Sequence, residues 1–233
     1  MTQSISIVAV VPAAGIGQRM RADIAKQYLM IGEQTVLEHT VHQLLRHPRV
    51  ERVVIALHPN DQHFATLPLS AHPQVETVIG GDERDDSVLA ALAKLASDDW
   101  ALVHDAARPC VDLADIDQLI QQATNHPVGG ILAMPVRDTM KSANAQQCSD
   151  HSVDRNGLWH ALTPQLFPAK QLIANMQSAK ARGLQLTDEA SAFEANGLAP
   201  LLVAGRGDNI KITQPEDLAL AQFYLMRRAQ QES

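Results

Sequence analysis

The stretch Val8-Ala-Val-Val-Pro12-Ala-Ala-Gly15-Ile-Gly17-Gln-Arg19-Met20, followed by Lys26-Gln27, decides the fold. An apolar run from Ile5 to Val11 stops at Pro12 and passes into glycines. A short continuous apolar run bounded by turn residues reads as a buried strand. A strand that empties into a Gly-rich loop lets backbone N–H groups approach phosphate oxygens. Arg19 and Lys26 stand beside that loop and can neutralise a phosphate chain, so the pattern points to a nucleoside triphosphate. Taken alone, the glycine spacing equally suits a tight strand-to-helix turn needing positive φ. Arg19 and Lys26, taken alone, equally suit a solvated surface. The dinucleotide fingerprint is incomplete, because Met20 stands where its third glycine belongs, and the Gly-Lys-Ser/Thr ending of the P-loop is missing. A dehydrogenase also needs an acidic residue ending the second strand, where this chain has Leu57-His58-Pro59.

Outward from this stretch, short apolar runs alternate with helical patterns. Ile5–Val11, Val53–Leu57, Val75–Ile79, Ala101–Val103 and Gly130–Ala133 read as buried strands, and Leu201–Ala204 reads as a strand. Thr35-Val-Leu-Glu38 is a capping box that opens a helix through about Leu45. Asp82 to Ala96 carries Val88, Leu89, Leu92 and Leu95 at helical spacing, and Asp112 caps a helix that runs to Ala123. Ala169–Arg182 reads as a helix, and a shorter one is framed by Thr187 as N-cap and Gly197 as C′ residue. Thr213-Gln-Pro-Glu216 opens the last helix with a second capping box. This alternation predicts an α/β fold built on a mostly parallel sheet flanked by helices, with ligands at the carboxyl ends of the strands.

The rhythm breaks between Arg137 and His160, a polar stretch too long for an ordinary connection. It reads as a protruding β-arm used for dimerisation or as a surface insertion, within one domain spanning residues 1–233. A chain of this length buries roughly 70–75% of its unfolded surface and needs no staples. The net charge of −7 argues against a general nucleic-acid binder, so cations must be concentrated locally; Arg19, Lys26, Arg108, Arg155, Arg206 and Lys211 are the candidates. Cys110 and Cys148 form no CxxC, which fits a reducing compartment without structural zinc. No basic start followed by a long apolar stretch occurs and no apolar run is long enough to span a membrane, so the expectation is a cytoplasmic protein without a membrane partner.

Asp105 follows the strand Ala101–Val103. There it reads as a helix cap or as an oxygen donor for Mg²⁺ beside a triphosphate, and Asp208 is a possible assistant. His104 reads as a packed strand-end residue, since no second histidine stands at metal spacing. Neither a Ser-His-Asp arrangement nor a paired-carboxylate arrangement calls for a role.

Seven strings in order resemble one family: the opening stretch with Lys26-Gln, Gly80-Gly-Asp-Glu-Arg-x-x-Ser87-Val, Val103-His-Asp-Ala-Ala-Arg108-Pro, Pro135-Val-Arg-Asp-Thr139-Met-Lys141, Arg155-Asn-Gly-Leu-Trp-His-Ala-Leu-Thr163-Pro-Gln, Leu186-Thr-Asp-Glu-Ala-Ser191 and Gly207-Asp-Asn-Ile-Lys211-Ile-Thr. They are similar to the Rossmann-like nucleotidyltransferases, and within them to the 2-C-methyl-D-erythritol 4-phosphate cytidylyltransferases of the non-mevalonate isoprenoid pathway, from about residue 5 to residue 225. Ala25 departs from the proline that many members carry before the lysine. The resemblance implies attack by the acceptor phosphate on the α-phosphorus of CTP, with Mg²⁺; where the arms swap between subunits, a C₂ homodimer follows. It implies Arg19 and Lys26 as transition-state stabilisers, with Arg155 and Lys211 positioning the acceptor. It implies CTP contacts at Pro12, Ala13, Ala14, Gly15, Gly17, Gly81, Asp82, Ser87 and Ala106. Acceptor contacts are implied at Asp105, Arg108, Thr139, Thr163 and Thr187, and Asp105 is the implied metal ligand. The rival readings are a ribitol 5-phosphate cytidylyltransferase and a non-catalytic nucleotide-binding regulator; a regulator could dispense with Arg19, Lys26 and Lys211.

Overall fold

The computed structural model describes residues 5–15 and 24–232. Gly17, Arg19 and Met20 lie outside the described residues. In chain order the elements are β1 (Ile7–Ala13), β2 (Met30–Ile31), β3 (Gln34–Thr35), α1 (Val36–Leu45), β4 (Val50–Leu57), β5 (Val75–Ile79), α2 (Arg84–Leu92), β6 (Trp100–Val103), α3 (Leu113–Ala123), β7 (Gly130–Pro135), β8 (Met140–Ala143), β9 (Ser149–Val153), β10 (Trp159–Pro168), α4 (Ala169–Ala181), α5 (Glu189–Glu194), β11 (Leu201–Ala204) and α6 (Pro215–Glu232). A seven-stranded sheet runs β11-β7-β10-β6-β1-β4-β5. Its pairings are parallel except the two made by β10, which is antiparallel to both β6 and β7.

The mostly parallel sheet expected from the alternating pattern is therefore present, and its central strands are buried on both faces, whereas Val75–Ile79, read as a buried strand, is the edge strand β5 and holds no fully buried residue. Along β1, Ile7, Ala9 and Val11 pack with Leu37 and Val41 of α1 and with Ile116 and Leu119 of α3. The alternate residues Val8 and Val10 pack on the other face with Val88 of α2, Leu172 of α4 and Phe193 of α5. A strand covered on both sides has no polar face, which is why β1 reads as an unbroken apolar run. Phe193 stacks on Phe167 of β10 at 4.4 Å between ring centroids, closing this second layer.

The helix starts test the local readings. Thr35 and Glu38 form the reciprocal box at α1, and the Asp112 carboxylate caps α3. At α5 the cap is Asp188, not Thr187, because the Asp188 carboxylate reaches the Ser191 N–H and Thr187 lies one residue too early. Before α6 it is Asp217, not Glu216, that accepts from the backbone of Thr213 and Gln214. Helix α2 begins at Arg84 rather than Asp82, since its N-cap Glu83 is still extended. Strand β1 ends at Ala13, two residues beyond Val11: Pro12 and Ala13 still pair with β4, whereas the β6 ladder stops at Val10.

The largest omission is β10, a ten-residue strand that begins inside the stretch read as an arm. A proline within a strand argues against a central position, and Pro164 hides the pattern. Between Ala161 and Gln165 the register against β7 shifts, four steps on β10 opposing two on β7. This bulge takes up Thr163-Pro164 and leaves the ladders on either side intact. The arm itself is the hairpin β8–β9, a separate two-stranded sheet of mostly exposed residues.

Candidate active site

The sheet carries a cleft of about 740 Å³ at the carboxyl ends of β1, β5 and β6. Pro12, Ala13, Ala14 and Gly15 form one wall, Gly81, Asp82 and Ser87 another, and Asp105 and Ala106 the floor, with Lys26, Arg84 and Lys211 as its cations. Residues read separately along the sequence thus line one cavity, at the place where open α/β sheets bind ligands.

The glycines separate into two kinds. A Cβ built on Gly80 lies 2.7 Å from both the Ala14 Cβ and the Ser87 Oγ, and one on Gly81 lies 2.3 Å from the Asp86 Cβ. These two positions have no room for a side chain, because the turn packs directly against α2 and the β1 loop. Gly15 is different. It lacks the positive φ of a tight turn, and a Cβ there meets no described atom within 4 Å. Among the described residues, neither backbone conformation nor packing requires a glycine at 15.

Asp105 organises the floor. Its Oδ1 accepts from Arg84 Nε at 3.1 Å, and its Oδ2 faces Lys211 Nζ at 3.0 Å and Arg108 Nε at 3.4 Å. Burial alone would raise this carboxyl; Arg84, Lys211 and Arg108 together outweigh it and hold the group well below the usual carboxylate range. Arg84 is also gripped by Glu189, Nη1 at 2.7 Å and Nη2 at 3.2 Å, in a bidentate pair. Glu189 is fully buried; burial pushes its carboxyl up, and Arg84 opposes that. Charges therefore alternate from Glu189 through Arg84 and Asp105 to Lys211, tying α5, α2 and the loop before α6 to the cleft floor. Arg84 and Glu189 received no role in the sequence reading, and the only local trace of one is that each stands inside a string shared with the family.

His104 and Thr163 support the floor from behind. The Asp105 N–H donates to Thr163 Oγ1 at 3.1 Å, Thr163 Oγ1 lies 3.0 Å from His104 Nδ1, and His104 Nε2 lies 3.0 Å from the Arg108 carbonyl. A carbonyl can only accept, so Nε2 carries the proton and Nδ1 accepts from the threonine hydroxyl. Burial pushes the imidazole down to about 4, so it is neutral at pH 7. His104 is thus a packed strand-end group, and Thr163 supports Asp105 rather than lining the cleft. Arg108 is buried too, its Nη1 donating to the Asn209 carbonyl at 2.7 Å.

The remaining residues implied for the acceptor lie elsewhere. Thr139 and Arg155 are exposed at the two roots of the arm, where the Arg155 guanidinium donates to the Arg137 carbonyl. Thr187 is exposed beyond the cleft lining. Arg206, counted as a candidate cation, pairs with Asp112 and Asp115, and Asp208 pairs with Arg227 at 3.5 Å. No group of three His, Cys, Asp or Glu side chains among the described residues could hold a metal ion. Asp105 is a single carboxylate whose two oxygens already face Arg84, Lys211 and Arg108, so a Mg²⁺ here would depend on substrate phosphates and water for the rest of its shell. No helix among the described residues is long and apolar enough to cross a membrane.

Residues 7–227 match the family described as 2-C-methyl-D-erythritol 4-phosphate cytidylyltransferase. The chain belongs to this family. A relative bearing that description in Vibrio vulnificus is 58% identical over 226 residues, 95% of each chain. One in Escherichia coli is 57% identical over 233 residues, covering all of this chain and 99% of its own. The crystal structure of the Francisella tularensis 2-C-methyl-D-erythritol 4-phosphate cytidylyltransferase aligns with a TM-score of 0.81 at 32% identity, over 94% of this chain and 99% of that one. Family membership thus extends over both cleft walls, the Asp105 floor and the arm.

Proposed function

We propose that the chain transfers a cytidylyl group from CTP to 2-C-methyl-D-erythritol 4-phosphate, releasing pyrophosphate. One observation carries the reading beyond family membership. Lys26 Nζ donates to the Ile212 carbonyl at 2.9 Å, next to Lys211, although 186 positions separate the pair in sequence. The cation beside the nucleotide loop and the cation of the acceptor side are therefore held at one place.

The chemistry needs little more than that. A phosphate monoester oxygen of the acceptor attacks the α-phosphorus of CTP in line, and the bond from that phosphorus to the bridging oxygen of pyrophosphate breaks. The nucleophile is already ionised at neutral pH, so no general base is required. Both partners are anions, and fixed cations where charge accumulates lower the barrier. Lys26 serves the α-phosphate and the leaving group, together with Arg19, which lies outside the described residues. Lys211, held by Asp105, orients the acceptor phosphate. Ala13, Ala14, Gly15, Gly81, Asp82 and Ser87 form the cytidine pocket. Mg²⁺ bound to the triphosphate and met by Asp105 would neutralise charge on the phosphate oxygens.

The arm completes the acceptor side. Thr139 and Arg155 stand outside the cleft of their own chain, so their part is played in a homodimer whose arms exchange, with one active site drawing on two chains. Exposed Met140, Leu158 and Trp159 at the arm's roots support a partner there. A cytoplasmic setting is in keeping with CTP as substrate. The test is pyrophosphate release with CTP and 2-C-methyl-D-erythritol 4-phosphate, beside ribitol 5-phosphate and beside ATP, GTP and UTP. Turnover confined to CTP and the methylerythritol phosphate is expected. Faster turnover of ribitol 5-phosphate, or no turnover of either acceptor, overturns the reading. Full activity in a strictly monomeric preparation overturns the shared site.

A further inference from the structure

Gln27 follows Lys26 in the opening stretch, and the reaction assigns it nothing. Its side chain is nonetheless buried, with 4% exposure, at the edge of the cleft. Its Nε2 donates to the Ala13 carbonyl at 2.8 Å and to the Gly15 carbonyl at 3.2 Å. We infer that Gln27 is a positioning residue for nucleotide binding, an uncharged staple that sets the phosphate-facing backbone and fixes Lys26 against it. The inference rests on the CTP reading of the cleft.

A primary amide carries two N–H donors on one nitrogen and no charge. One Gln side chain can therefore hold two carbonyls at once. The peptide unit is planar and trans, so its C=O and the following N–H point in opposite directions. Holding the Ala13 carbonyl thus aims the Ala14 N–H away from Gln27, and holding the Gly15 carbonyl fixes the peptide plane there. The staple also engages the negative ends of two carbonyl dipoles that border the cleft. Gln27 is itself held on both sides. Lys26 Nζ reaches the Ile212 carbonyl, and the Tyr28 hydroxyl donates to Asp61 at 2.6 Å while its ring packs on His63 at 5.1 Å. The short turn Lys26–Tyr28 joins these anchors. Gly15, whose own contacts do not require a glycine, is thereby kept in place by the neighbour of Lys26.

The test uses Gln27→Met, which keeps the length and loses both donors, and Gln27→Glu, which keeps the shape and only accepts when ionised. CTP binding is read by titration calorimetry with CTP alone, and turnover by pyrophosphate release. Losing two buried hydrogen bonds should lower kcat/KM for CTP and CTP affinity by roughly 10- to 100-fold in the Met variant, with KM for the acceptor within threefold of the parent. In the Glu variant, affinity relative to the parent should recover as pH falls from 8 to 5, because a protonated carboxyl regains one donor. A merely structural role would move the acceptor KM together with CTP affinity. CTP affinity within threefold of the parent in both variants overturns the inference, as does an acceptor KM that rises as much as the CTP effect. If the Met variant does not fold, the pH dependence of the Glu variant decides. A parent that binds CTP without releasing pyrophosphate fails the proposed reaction, yet leaves the binding comparison in force; a parent that binds no CTP overturns both.

Discussion

Replacing Asp105 with asparagine removes one negative charge from the most crowded point of the cleft while keeping the side chain's shape. What each cation retains sets the magnitude. Arg84 keeps its two bonds to Glu189 at 2.7 and 3.2 Å, and Arg108 keeps the Asn209 carbonyl at 2.7 Å. Lys211, with its side chain 39% exposed, can turn to water. Breaking a buried pair typically costs about 3–5 kcal/mol, and these residual partners put Asp105→Asn near the lower figure, about 3 kcal/mol. For a chain of this size that is a fall of roughly 6–12 °C in melting temperature. The pH dependence follows from the direction of the shift. Asp105 titrates lower in the folded chain than in the unfolded one, where an aspartate lies near about 3.9. Its stabilisation is therefore complete well above that value and is lost as pH falls through the folded-state value. Urea unfolding followed by circular dichroism at pH 7, 5, 4 and 3 gives the difference between parent and variant at each pH, with equal m-values confirming a common denatured state. The gap should hold from pH 7 to 5 and narrow below about pH 4. A gap under 1 kcal/mol at pH 7, or one that widens on acidification, would refute the assignment of Asp105 as the anion that balances this cluster.

Three further outcomes follow from the same geometry. Lys26→Ala should lower kcat by about 10²–10³, as loss of a transition-state donor does; turnover within threefold of the parent would remove Lys26 from the reaction. Gly81→Ala places a Cβ 2.3 Å from that of Asp86, so the turn or the start of α2 must move. Overpacking of this kind costs about 1–3 kcal/mol, and CTP affinity measured by calorimetry should fall at least tenfold; unchanged affinity would mean that the wall yields freely. The His104 ring, pushed down to about 4 by burial, should keep constant NMR shifts from pH 8 to 6, whereas a midpoint between 6 and 7 would contradict its buried, neutral state.

Much of the scaffold was legible because its causes are local. The α1 box needs only Thr35 and Glu38, three residues apart, and β5 and β11 coincide with the strand patterns Val75–Ile79 and Leu201–Ala204. Strand β10 was not legible, because Pro164 removes a backbone donor where the pattern asks for one, and only the two extra residues of the bulge resolve the conflict. Thr187 and Glu216 were each placed one position from the residue that caps. Side chains of similar chemistry stand next to each other there, and hydrogen-bond reach chooses between them.

The candidate site divides along the same line. By itself the sequence determined the order strand, glycine loop, cation, a pattern that suits a phosphate site and a tight turn alike. It also determined, through seven ordered strings, the family to which the chain belongs. Only the tertiary structure decided that Asp105 is balanced by Arg84, Arg108 and Lys211, that Glu189 stands behind Arg84, and that Gln27 reaches back to Ala13 and Gly15. Charge interactions and amide hydrogen bonds act over a few ångströms of space and are indifferent to separation along the chain. The parallel sheet brings β1, β5 and β6 to a common edge, and that edge turns scattered cations and carboxylates into one site.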